Sequence, residues 1–193
     1  MINEIEEYAK NNNVPIMMKD GITYLCDYIK KNNVKSILEI GSAIGYSSIM
    51  MASVGEDIKV TTIEKDTNRY NIAVDNIKKF NLNSRITILN EDALESTITG
   101  YYDLIFIDAS KGNNINFFNK YKDNLAPKGV IITDNLSFHG LVEDETLIKT
   151  KNQKGIVKKI KQYIDFLSNN KDFITTYVPV GDKISISKKA YHE

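Results

Sequence analysis

Four residues in two short stretches have types and spacing that suit chemistry: Asp108 and Lys111 in YDLIFIDASKG, and Asp134 with Asn135 in GVIITDN. Each stretch is an apolar run that ends on oxygen-bearing side chains, so the three oxygen donors should meet at one rim of a sheet. Two carboxylates and an amide are hard ligands. They suit Mg²⁺, which keeps near-octahedral geometry and leaves positions for water and substrate oxygens. A buried acid at a strand end must be paired or metal-bound, because an isolated carboxylate in low dielectric is costly. Helix capping by Asp134 or Asn135 is the plainer alternative. Lys111 then has a role as base or as electrostatic partner of an oxyanion. Its plainer reading is a solvated loop lysine.

A second group of residues reads as a cofactor site. In EIGSAIGYSS, Glu39, Gly41 and Gly45 bracket the turn out of one strand. Ligands in doubly wound sheets bind outside the carboxyl ends of strands. The G-x-x-x-G spacing differs from the G-x-G-x-x-G of a pyrophosphate cradle, so a phosphate-free nucleoside fits better. Glu64 ends the next strand about 20 residues on, where an acid can accept hydrogen bonds from ribose hydroxyls. Glu91, Asp92 and Ala93 follow the third strand and can address an adenine edge. Together these suggest S-adenosylmethionine; taken singly, Glu64 and Asp92 could be caps or loop acids.

The elements that must position these groups are legible as β-rich runs alternating with amphipathic stretches. The strands are SILEIG (36–41), KVTTIE (59–64), RITILN (85–90), DLIFIDA (103–109) and GVIITDN (129–135). Helix candidates lie at 44–54, 67–80, 114–125 and near 154–169, the third closed by APKG at 126–129. Such alternation marks a parallel sheet covered on both faces. TTYVPV and KISIS, separated by Gly181 and Asp182, predict a closing antiparallel hairpin with a tight turn. The expected architecture is one α/β domain over 1–193, doubly wound and Rossmann-like: a seven-stranded, mostly parallel sheet ending in that hairpin, which by analogy is the methyltransferase version of the fold. The segment 137–153 has no clear period and reads as a long loop.

Through LEIGSAIGYSS, TIEKD, EDA, FIDASKG and ITDN the chain resembles the metal-dependent O-methyltransferases related to catechol and caffeoyl-coenzyme A methyltransferases. Within that family VPIMMKDG, DNIKKFNL, NFFNKY, DNLSFHGLV and VPVGDKISISKK are most similar to the bacterial members that methylate 5-hydroxyuridine at the tRNA wobble position, giving 5-methoxyuridine. The resemblance implies Met17, Glu39, Gly41, Ser47, Glu64, Asp92 and Ala93 around S-adenosylmethionine, and Asp108, Asp134 and Asn135 on Mg²⁺, with Asp108 shared by both sites. It also implies a homodimer, and the tRNA anticodon loop as partner. Ala109 and Ser110 replace bulkier residues of animal catechol enzymes, which weakens a catechol reading.

Composition is neutral on the substrate. With 25 basic and 25 acidic side chains, the chain is no strongly basic nucleic-acid binder, although a local patch stays open. A single cysteine, Cys26, excludes an internal disulfide, and with no signal peptide or membrane span visible it suggests the cytoplasm. Lysines 149, 151, 154, 158, 159 and 161 crowd the start of the last helix, as a phosphate-contacting stripe or a solvated face. Phe138 and His139 are candidates to stack on an exposed base. Three other readings remain: O-methylation of a small catechol-like compound, an NAD-dependent oxidoreductase on the same sheet, and an RNA-binding protein without catalysis.

Overall fold

Alternation along β1 (Ser36–Ile40) divides the interior in two, with Ile37 packed into one apolar layer and Leu38 and Ile40 into the other. Such two-sided burial is what a central parallel strand requires. The computed structural model describes residues 1–190. In it β1 is flanked by β2 (Lys59–Ile63) and β4 (Tyr102–Ile107); β3 (Ile86–Leu89) and β5 (Leu125–Thr133) extend the sheet on either side, and all these pairings are parallel. β7 (Ile184–Lys189) runs antiparallel to β5 and to β6 (Phe173–Val178), giving the order β3-β2-β1-β4-β5-β7-β6. This seven-stranded mixed sheet with its terminal hairpin is the doubly wound, Rossmann-like architecture expected from the sequence.

Helices α1 (Ile2–Asn11), α2 (Lys19–Lys31), α3 (Tyr46–Ala52) and α4 (Thr67–Lys79) bury their apolar stripes on one face of the sheet. On the other face lie α5 (Asn114–Tyr121) and α6 (Lys151–Ser168), where Phe118 meets Tyr163, Phe166 and Phe173 edge-on. Edge-to-face packing of this kind adds to the area buried.

Local chemistry explains where element boundaries differ from the sequence reading. The third helix was expected to run to residue 125 and stop at APKG; α5 instead ends at Tyr121, a 3-10 turn covers Lys122–Asn124, and Ala126 to Gly129 lie inside β5. The partner register jumps there, from Tyr102↔Leu125 to Leu104↔Val130, so Pro127 and Gly129 sit in a bulge outside the regular ladder. α6 begins three residues earlier than expected because Thr150 caps it. The Thr150 hydroxyl accepts from Gln153 N–H, while the Gln153 side chain accepts from the Thr150 N–H, a reciprocal capping box. The connection from β6 to β7 spans 179–183 and is longer than a two-residue turn. Among the described residues no helix is long and apolar enough to cross a membrane.

Candidate active site

Backbone hydrogen bonds carry the ladder one residue past several strands, which aligns their ends. Gly41 N–H donates to Ile63 O (2.9 Å), Glu64 N–H to Leu89 O (2.9 Å), Asp108 N–H to Ile40 O (3.0 Å) and Asp134 N–H to Ile107 O (3.2 Å). The residues that follow β1 to β5 therefore gather at one edge, where a cavity of about 1240 Å³ opens. Met17, Gly41, Ser47, Glu64, Asp92, Ala93, Asp108, Lys111 and Asn135 all line it.

Two expected residues do not line it. Glu39 points to the face of the sheet covered by α3 and is fully buried, its carboxylate accepting from the hydroxyls of Ser47, Ser48 and Thr62. Burial pushes its acid upward in pKa, and the three hydroxyl donors oppose this. Asp134, next to Asn135 in sequence, is 4% exposed.

Close approach explains the first glycine. Gly41 has φ +95°, and a Cβ there would stand 2.7 Å from Asp108 O and 2.9 Å from Ala109 Cα. Only a residue without a side chain lets the β1 and β4 turns touch in this way. Beside the same turn the Glu64 carboxylate accepts from the N–H groups of Ala43 and Asp66, each at 2.8 Å through a different oxygen. Each oxygen keeps a further lone pair for a ligand. Asp92 accepts from Leu94 N–H (2.9 Å) and Lys65 Nζ (3.0 Å), and these two partners hold its carboxyl below the usual range.

Around Asp108 the acids crowd one another. Burial, followed by the charges of Asp134 and Glu39, raises Asp108 well above an ordinary carboxyl, against the pull of Lys111 and an Asn135 Nδ2 donor at 2.6 Å. Asp134 is also raised, mainly by burial. Its Oδ1 is buried and has no hydrogen-bond partner. Among the described residues no group of three or more His, Cys, Asp or Glu is placed to hold a metal, so the donor set here is two carboxylates and the Asn135 amide. Repelling acids, an orphaned carboxylate oxygen and an adjacent amide fit a hard divalent cation that would supply the missing positive charge.

Lys111 opens a 3-10 turn after β4, with Nζ 5.4 Å from the Phe138 ring centroid. Phe138 lines the cavity, whereas the His139 side chain is 72% exposed. Asn135, Phe138 and His139 all take left-handed φ values, between 51° and 66°. Sequence reasoning missed the residues that restrain them. Asp182, almost fully buried, accepts from His139 N–H at 2.7 Å, and its carbonyl accepts from Ser137 N–H at 2.9 Å. Asp20 in turn holds Gly181 N–H at 3.0 Å. The P-V-G-D order in the hairpin connection was the available signal, since Asp in a glycine turn is placed to accept from nearby backbone.

The family model described as O-methyltransferase matches residues 1–190. The chain belongs to the O-methyltransferase family. It is 29% identical over 175 residues to the caffeoyl-CoA O-methyltransferase of Stellaria longipes, which covers 84% of this chain and 71% of that relative. A candidate caffeoyl-CoA O-methyltransferase from Staphylococcus aureus has a solved structure that is 36% identical, with TM-score 0.93 over 98% of this chain and 92% of that one. The O-methyltransferase from Bacillus cereus, solved in complex with S-adenosylhomocysteine, is 26% identical with TM-score 0.82 over 98% of this chain and 90% of that one. Both signs of charge line the cavity: Glu64, Asp66, Glu91, Asp92 and Asp108 with Lys65, Arg69, Lys111, Lys151 and Lys159.

Proposed function

We propose that this O-methyltransferase uses S-adenosylmethionine and Mg²⁺ to methylate the 5-hydroxyl of 5-hydroxyuridine at the tRNA wobble position. The observation that carries the reaction class is the convergence of Asp108, Asn135 and Lys111 on the cavity that Gly41 and Glu64 also line, with Asp134 close enough for its charge to act on Asp108. The acceptor assignment rests on the likeness of VPIMMKDG, DNLSFHGLV and VPVGDKISISKK to tRNA-modifying members, and on the α6 lysines Lys151 and Lys159 that line the cavity.

S-adenosylmethionine supplies the methyl group on a sulfonium sulfur that leaves as a neutral thioether. Glu64 uses its remaining lone pairs to hold ribose hydroxyls, Asp92 and the Ala93 backbone face the base, and Met17 and Ser47 close the walls. Asp108, Asp134 and Asn135 would hold Mg²⁺, which when bound would supply the positive charge that lowers the pKa of an acceptor hydroxyl. Lys111 takes up the hydroxyl proton or steadies the oxyanion it leaves. Its own position is limited by Phe138, over whose ring it lies. The remaining contribution of the chain is to hold acceptor oxygen and methyl carbon in line.

A second reading, methylation of a caffeoyl-CoA-like catechol, is favoured by the Stellaria longipes relative. Methyl-labelled donor offered with undermodified tRNA and a catechol panel separates the two. Label in tRNA supports the first reading, and label confined to the small molecules defeats it.

A further inference from the structure

Gly155 has no local reason to be in α6. Glycine inside a helix is destabilising relative to alanine. Here a Cβ would meet no heavy atom within 4 Å, and no left-handed φ calls for a glycine. What distinguishes the position is that it lines the cavity, one turn from Lys151 before it and one turn from Lys159 after it, and both lysines line the cavity too. Residues at i, i+4 and i+8 form a single stripe. Neither lysine makes an ion pair among the described residues.

The facing wall makes room for this stripe. A Cβ on Gly112 would lie 3.2 Å from both Cδ and Nζ of Lys159, so the lysine head lies across the turn that follows Lys111. The remaining lysines of α6 serve another surface: Lys161 pairs with Glu145, and Lys154 and Lys158 border a separate depression with Glu145 and Asp165. The lysine-rich helix is therefore two surfaces, one partly neutralised and one cationic and open to the site.

We propose that Lys151, Gly155 and Lys159 form a subsite for the phosphates of the methyl acceptor, with the bare backbone of Gly155 letting a phosphodiester strand lie against α6 between two ammonium groups. The stripe extends about 12 Å along the helix, which suits a strand more than a single small anion. The subsite deepens the proposed function and rests on it for the identity of the strand as RNA.

The test is steady-state kinetics of the full chain and its variants with three acceptors: an anticodon stem-loop RNA carrying 5-hydroxyuridine, caffeoyl-CoA, and a catechol without phosphate. For Lys159→Gln the KM for RNA should rise at least about tenfold more than the KM for catechol, with a shallower dependence of KM on salt than wild type. Gly155→Ala should raise Tm by about 2–4 °C while also raising the KM for RNA, so that stability and acceptor binding move in opposite directions. Equal shifts for phosphate-bearing and phosphate-free acceptors, no shift in either, or a wild type that accepts only the catechol would overturn the subsite. If wild type methylates caffeoyl-CoA and not RNA, the wobble reading falls; the same variants then judge the subsite by the KM for caffeoyl-CoA against that for catechol.

Discussion

Lys111 and Asp134 separate two kinds of dependence at the level of single side chains. Lys111 lines the same cavity as Glu64 and Asp92, and in the proposed reaction it acts on the acceptor while they hold the donor, so its removal should reach chemistry and spare the donor. Lys111→Ala is expected to lower kcat by about 10²–10⁴-fold, the usual range for a lost acid–base group, with the Kd for S-adenosylhomocysteine in calorimetry nearly unchanged. Asp134 works against stability. Burial and neighbouring acids raise its pKa to about 6, so between about pH 4, where an ordinary carboxyl titrates, and pH 6 the folded chain binds more protons than the unfolded one. Stability of the metal-free protein should fall as pH rises through that window and stay low above it. Asp134→Asn should therefore unfold at higher temperature than wild type at pH 8 in chelator, by an amount equivalent to about 1–3 kcal/mol, and lose activity. A lower Tm for the variant under those conditions would show that burial of the ionised Asp134 carboxylate does not cost stability in this way.

The elements hold the site through contacts that a sequence reveals unevenly. Strand ends were legible, because apolar runs that stop on Glu, Asp or Asn at Glu64, Asp108 and Asn135 carry their own punctuation. The limits of α5 and β5 were not: Pro127 and Gly129 signal a break, but whether they end a helix or bulge a strand depends on the partner register set by β4. Asp182 was equally hidden, since its role exists only once the hairpin connection meets the left-handed turn at Asn135 to Gly140. Asp182→Ala removes the acceptor of His139 N–H and should lower Tm by an amount worth about 1–3 kcal/mol. It should also reduce kcat by loosening Asn135 and Phe138, and thermal melting beside turnover checks both. Gly41→Ala is expected to be harsher for the donor. The added methyl would press on Asp108 O at 2.7 Å, so calorimetry should find S-adenosylhomocysteine binding lost or strongly weakened.

For the whole molecule, the alternation of strands and helices was enough to anticipate the layered sheet and its hairpin, because burial on both faces leaves a continuous apolar signal. The grouping of the α6 lysines was only half visible. Lysines 151 and 159 could be counted in the sequence, but their separation from Lys154, Lys158 and Lys161 required the rotation of α6 about its axis. The central claim is O-methyl transfer assisted by a divalent cation to wobble 5-hydroxyuridine. Nucleoside mass spectrometry of tRNA that carries 5-hydroxyuridine, incubated with this chain, S-adenosylmethionine and Mg²⁺, tests it most directly. The account predicts conversion to 5-methoxyuridine that stops on chelation and returns with added Mg²⁺. Persistent 5-hydroxyuridine beside methylation of a catechol in the same mixture, or conversion indifferent to chelator, would contradict it.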